Sequence, residues 1–464
     1  MIIRKEEISY KDIPCPQIGD EILPVDLTDE TMKHRKSLLL DKMKEREYDV
    51  LVIYGDREHG HNFSYLTGFE PRFEEALLVI HKNGEAFLLM GNESAKMVQF
   101  SRINASGIAV PYFSLPNQPM NNDEGLRAVF EKANICEGMK VGIIGWKMFT
   151  SEVEDNKRLF DVPHFMVEAI ANIVGENAKV ENATDVMIHP QSGIRTQVNT
   201  NEIAHYEFGA TLASRGMLDL MNQIEVGKTE MELADKLALL GQPTTVTTIC
   251  ATGERFTNAT VFPRNKKVKV GDRFSATVGF RGGLSNRVGY AAENEGDLGS
   301  ENDFLESMSK PYFAAACTWY SSIEIGVSCG KIYDLIEEVI PKKEYGWHLN
   351  PGHYVATEEW MSSPFYEGSE IKIKDGSMFQ MDIIISKSDV GGANAEDGIA
   401  VAGKELREDI AEKYPEVWKR IEKRREYMKD VLGIELKPEV LPLSDIAGYY
   451  RPFFLCKNKA LVVK

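Results

Sequence analysis

At Ile194 the apolar rhythm of the chain changes, and this break constrains the fold more than any other feature of the sequence. Upstream, between about residues 47 and 180, the short apolar runs YDVLVIYG, EALLVIH, AFLLMG and KVGIIGW alternate with helical stretches and are bounded by charged or Gly-containing segments. Unbroken apolar runs of this length suit strands buried on both faces, so this half reads as an α/β domain built on a buried sheet. Downstream, Ile203, Tyr206, Ala210, Ala213, Met217, Leu220 and Met221 recur at three-to-four spacing, one face of a long helix. At 464 residues the chain is too long for one ordinary core. The break therefore separates an N-terminal domain, 1–190, from a C-terminal domain, 191–464.

In the second domain Thr229 followed by Glu232 forms a capping box that opens a helix, and Gly241 closes it. The strand candidates TTVTTIC, DRFSATVGF and SMFQMDIIIS are interleaved with the helices FLESMSKPYFAAACTWYSSIEIG and KIYDLIEEVI. Helices outside a strongly curved antiparallel sheet make one consistent α+β arrangement.

The formal charge of -17 repels phosphate backbones and anionic membrane surfaces, so neither nucleic acid nor a membrane is an expected partner. The first residues carry no apolar signal core, and no segment reaches the roughly 18 uncharged apolar residues that span a bilayer. A cytoplasmic protein is expected. Six cysteines without a CxxC pair, Cys15, Cys136, Cys250, Cys317, Cys329 and Cys456, argue for buried reduced thiols rather than a disulfide framework or a structural zinc site.

Four ordered segments carry a resemblance to known proteins. NFSYLTGFEP, Asn62 to Pro71, is similar to the "YLTGF" segment of prolidase and aminopeptidase P. IRTQVNTNEI resembles the helix that opens their second domain, IEVGKTEMELA its following turn and helix, and VKVGDRFSATVG the "GD" strand that leads to their metal site. The chain thus resembles the pita-bread superfamily of creatinase, prolidase and aminopeptidase P over nearly its whole length. The resemblance implies an α+β pita-bread C-terminal domain behind an α/β creatinase-like N-terminal domain.

The family's metallopeptidases hold two divalent cations with two Asp, one His and two Glu, a set able to neutralise and bridge a cation pair. Set against that pattern, the first Asp position falls on Thr277 and the second on Asn286 in GGLSNRVG. The His ligand falls on His353 in LNPGHYVATEE, and a further family His falls at Trp360. The first Glu falls on Asp382 in KDGSMFQMDII, and the last on Glu396, beside Asp397, in GGANAEDGI. Losing two carboxylates from a site that must hold about four positive charges leaves buried cations uncompensated, so a two-metal centre is not expected and no cofactor is required. A single manganese or zinc ion on His353, Asp382 and Glu396 is the alternative.

Creatinase, which breaks a carbon–nitrogen bond without metal, is the nearer chemical precedent that the resemblance offers. His353, Asp382 and Glu396, with Glu358 or Glu359, are then the expected acid and base groups. The family His ahead of the "GD" strand falls on Thr260. It joins Thr277, Asn286, His348, Trp360 and Arg72 as a candidate substrate contact. The expected function is a creatinase- or aminopeptidase-P-like hydrolase of a carbon–nitrogen bond in a small amino-acid-like, guanidino or dipeptide substrate. An Xaa-Pro peptidase with a relaxed metal site and a non-catalytic binding module are the alternatives, and the resemblance implies a homodimer.

Overall fold

The computed structural model describes residues 2–19, 21–118, 124–254, 262–299 and 303–464. The chain forms two compact units: Met1–Asp26 groups with Gln197–Lys464, and Leu27–Thr196 stands as the other. The sequence reading placed residues 1–190 together. In the structure the first strand, β1 (Ile8–Asp12), instead pairs antiparallel with the last, Lys459–Val463, Ile8 opposite Val463.

The Leu27–Thr196 unit is built on a six-stranded mixed sheet. In chain order its strands are β2 (Val50–Gly55), β3 (Ala76–His81), β4 (Ala86–Met90), β5 (Ser106–Ala109), β6 (Val141–Ile144) and β7 (Val180–Asn182), arranged β5-β4-β3-β2-β6-β7. β2, β3, β4 and β6 are buried along their whole length, as their unbroken apolar sequences require. The YLTGF segment is the helix His61–Thr67, terminated by Gly68 at φ 79°. A side chain there would be strained and would also collide with Arg102.

The larger unit holds an eight-stranded antiparallel sheet of β8 (Ile249–Thr252), β9 (Asp272–Phe280), β10 (Gly283–Ala291), β11 (His353–Tyr354), β12 (Ser377–Met381), β13 (Ile385–Lys387), β14 (Gly391–Val401) and β15 (Val440–Pro442). Its main path runs β11-β12-β14-β10-β9-β8, with β13 and β15 also pairing to β14. The helix Thr200–Gln223 is opened by a capping box: Glu202 N–H donates to Asn199 Oδ1 at 3.0 Å, and Asn199 N–H to Glu202 Oε2 at 2.9 Å. This helix lies directly on the β9–β10 turn, so close that a Cβ on Gly209 would sit 1.8 Å from the Arg281 carbonyl. That approach fixes the hairpin bearing Thr277 and Asn286.

The box at Thr229 and Glu232 forms, but the helix it opens is short, Glu230–Ala234 followed by a 3-10 turn to Leu237. All six cysteines are free thiols; Cys250, Cys317 and Cys329 are buried, while Cys136 is exposed and Cys15 and Cys456 are partly exposed. Among the described residues no helix is long and apolar enough to cross a membrane.

Candidate active site

Strand register assembles one row across the large sheet. Thr277 on β9 lies opposite Asn286 on β10, and Asn286 lies opposite Glu396 on β14. Met381 pairs with Asp397 and Ile385 with Ala393 in the same register, so Asp382, between β12 and β13, stands opposite Glu396. Side chains alternate along a strand, which puts these four on one face. Ser285, Arg287 and Asp397 turn to the other face, where they are wholly buried and bonded to one another.

His353 on β11 completes the cluster. Its Nε2 lies 3.4 Å from Glu359 Oε1, 3.7 Å from Glu396 Oε1 and 3.9 Å from Asp382 Oδ2. Nδ1 lies 3.1 Å from the Tyr354 carbonyl, an acceptor, so the hydrogen is assigned to Nδ1 and Nε2 faces the carboxylates. The ring is fully buried beneath Trp360, with ring centroids 4.2 Å apart. His353 Nε2, Glu396 Oε1 and Asn286 Oδ1 are all buried without a hydrogen-bond partner. Native interiors rarely leave such groups unpaired, and three together mark a place where a ligand's donors and acceptors are expected.

Burial also sets the protonation of the carboxyls. Asp382 is held up at about 6 by desolvation, which His353 partly offsets and Glu359 reinforces. Glu396 is held well above the usual carboxylate range by desolvation, then by the nearby Asp382, Glu359 and Asp397. Because a raised carboxyl binds its proton more tightly in the folded state, ionising it opposes folding. The stability it contributes is full below the unfolded value near 4 and is lost as pH rises through about 6. In metal-free protein Asp382→Asn should therefore stabilise the fold at pH 8, by up to about 3 kcal/mol, and leave it unchanged at pH 4. Melting curves giving the same difference at both pH values would contradict this assignment.

Of the other expected contacts, Thr277 and Asn286 join the row and satisfy each other, Asn286 Nδ2 donating to Thr277 Oγ1 at 2.9 Å. His348 is exposed in the loop before β11, and among the described residues no hydrogen bond or ion pair ties it to the cluster. Arg72 is exposed in the Leu27–Thr196 unit, its guanidinium 5.2 Å over the Phe73 ring. Thr260 lies outside the described residues. The sequence left Glu358 and Glu359 open; Glu359 is the one beside His353. Asn394, not singled out from the sequence, donates from Nδ2 to Asp382 Oδ1 at 3.4 Å. Its place two residues before Glu396 on β14 was the available signal, since alternation puts both on one face.

The donor set tests the implied metals. Two neutral, mutually bonded side chains at 277 and 286 cannot bridge a cation pair, so the residues present do not fit a two-metal centre. One ion is different. Donor atoms of His353, Glu359 and Glu396 lie within 4.8 Å of one another, a set able to hold a single divalent cation, with Glu359 where the sequence reading had placed Asp382.

No protein-family model matches the chain, and no curated protein matches it. Solved structures do. A prolidase from Thermococcus sibiricus superposes with a TM-score of 0.62 at 17% identity, over 80% of this chain and 95% of that one. The prolidase from Pyrococcus horikoshii OT3 gives 0.60 at 17%, over 80% and 95%. An X-Pro aminopeptidase from Thermotoga maritima MSB8 gives 0.59 at 16%, over 80% and 95%. The protein therefore has the pita-bread fold, an α+β sheet domain with an α/β companion. Its similarity to these prolidases and X-Pro aminopeptidases, at such identities, is one of architecture.

Proposed function

We propose that the chain is a hydrolase of a carbon–nitrogen bond in a small guanidino, amino-acid-like or dipeptide substrate, working without a two-metal centre. One observation carries this reading: the buried His353 Nε2 has no hydrogen-bond partner and faces three carboxylates, while the residues that continue the row, Thr277 and Asn286, are neutral and bonded to each other. Carboxylates gathered at one point favour a cationic head, and a guanidinium offers them five N–H donors in a fixed fork. With the head held there, Nε2 of His353 is placed to take a proton from an attacking water as the carbon–oxygen bond forms. It then returns that proton to the nitrogen as the carbon–nitrogen bond breaks. Glu396, held above the usual carboxylate range by burial and its acidic neighbours, is drawn back to its ionised form by a cationic head seated beside it. Trp360 covers the imidazole and limits water around it.

A second reading, an Xaa-Pro peptidase with a relaxed metal site, draws on the compact donor set of His353, Glu359 and Glu396. An ion held there would polarise a scissile carbonyl. Elemental analysis separates the two. The protein as purified should carry fewer than about one equivalent of tightly bound divalent ion per chain, and amidino compounds should be cleaved without added manganese. Two equivalents surviving chelator treatment would overturn the first reading, and manganese-dependent cleavage of proline dipeptides alone would favour the second.

A further inference from the structure

We infer that the substrate is longer than the carboxylate cluster: an elongated zwitterion whose cationic head meets the acids around His353 and whose own carboxylate is received by Arg273. This rests on the proposed reading of the cluster as the seat of a cation, and it names the rest of the molecule that the cluster holds.

The site row is not the last on its face. One step along the strands, Asn394 lies opposite Val288, and Val288 opposite Ser275; the shared register of β12 and β13 brings Ile384 opposite Asn394. One step further, Ser386 lies opposite Gly392 and Tyr290 opposite Arg273. Ser275, Val288, Ile384, Ser386, Gly392 and Arg273 of these two rows line a cavity of about 570 Å3. The cavity thus continues the face that carries Thr277, Asn286, Glu396 and Asp382.

Two polar features along this face point to a ligand. The first is Asn394, fully buried, whose Oδ1 has no hydrogen-bond partner; with Asn286 Oδ1 it makes two buried, unpartnered acceptors in neighbouring rows of this face, between the cluster and Arg273. The second is Arg273. Its Nε donates to Tyr290 Oη at 3.3 Å and its Nη2 to the Ser388 carbonyl at 2.8 Å, and both acceptors are neutral. Among the described residues no carboxylate forms an ion pair with it. Of the two acids lining the same cavity, Asp272 accepts on Oδ2 from the Thr252 hydroxyl and the Lys269 N–H, and Glu254 is exposed. An exposed guanidinium held in place by neutral acceptors, two rows beyond the carboxylate cluster on the same sheet face, is charge-complementary to a molecule with a cation at one end and a carboxylate at the other.

The spacing fixes the class. Arg273 is four residues from Thr277 along β9, about 13 Å at roughly 3.3 Å per residue, and Glu396 lies two strands over on β14, roughly 10 Å further across the sheet. A creatine-sized guanidino acid cannot touch both ends, whereas a guanidino acid with a long methylene chain, or an arginine-containing peptide, can.

Calorimetric titration of guanidinohexanoate, hexylguanidine and guanidinoacetate into the full chain and into Arg273→Gln tests this. Guanidinohexanoate should bind the unsubstituted protein at least about tenfold more tightly than hexylguanidine, the worth of one charge-assisted pair, and more tightly than guanidinoacetate. Arg273→Gln should erase that advantage while hexylguanidine binds as before, which also reports that the site is intact; Arg273→Lys should keep part of it. Equal binding of guanidinohexanoate and hexylguanidine, or an advantage that survives Arg273→Gln, overturns the inference while the cation reading stands. Failure of all three guanidino compounds to bind sinks the cation reading and this one with it.

Discussion

Replacing His353 with Gln is expected to lower turnover by about a hundred- to ten-thousand-fold, the usual weight of a positioned acid–base group, and to leave the fold intact. Gln is close to His in length and can still donate to the Tyr354 carbonyl that now orients the ring. It removes the proton carrier at Nε2, the atom that faces Glu359, Glu396 and Asp382. Binding of a guanidino ligand should survive, because the three carboxylates remain. The measurements are kcat on whichever amidino compound is cleaved, and circular dichroism with a melting curve for the fold. A variant that folds and turns over normally would remove His353 from the catalytic groups, whereas an unsubstituted protein that binds these compounds and cleaves none would leave the third reading, a pita-bread domain retained for binding alone, as the better account.

How far the site could be seen in advance depended on local periodicity. Thr277, Asn286 and Glu396 sit in strands whose period-two alternation places them on one face, and the structure pairs them in one row, with Asp382 brought opposite Glu396 by the register on either side of it. Glu359 follows β11 in an irregular stretch, where no periodicity says whether residue 358 or 359 turns inward; the buried imidazole decides it. The run SMFQMDIIIS reads as one strand, but pairing is interrupted at residues 382–384, where a carboxylate faces His353 instead of completing a bland ladder. The grouping of the first 26 residues with the C-terminal unit was not legible. β1 and Lys459–Val463 pair across some 450 residues, and strand partners at such separation leave no local trace in either segment.

The largest stability effect is expected on the face opposite the site, at Arg287. Its guanidinium has five N–H donors and five acceptors around it: Asp397 Oδ2 at 2.7 Å, the carbonyls of Asn286 at 2.7 Å and Ile446 at 2.8 Å, and those of Tyr449 at 3.1 Å and Glu396 at 3.2 Å. The side chain is wholly buried, as is Asp397, so neither charge has water to fall back on. Asp397 is held above the usual carboxylate range by burial, against the pull of Arg287 and the hydroxyls of Ser444 and Ser285. Arg287→Met should therefore cost about 3–5 kcal/mol, the penalty of leaving one member of a buried pair uncompensated, and five backbone and carboxylate acceptors would lose their donors at once. Arg287→Lys should also destabilise, because an ammonium offers only three donors and no planar fork. Two of the lost bonds end on the carbonyls of Asn286 and Glu396, the residues whose side chains form the site row on the other face. The same variant should thus weaken guanidino binding before it unfolds the protein. Denaturant titration and calorimetry on Arg287→Met and Arg287→Met/Asp397→Asn measure both effects. The double substitution should recover part of the stability by removing the orphaned charge. A single variant within about 1 kcal/mol of the parent would mean that the pair contributes little beyond the hydrophobic packing that could replace it.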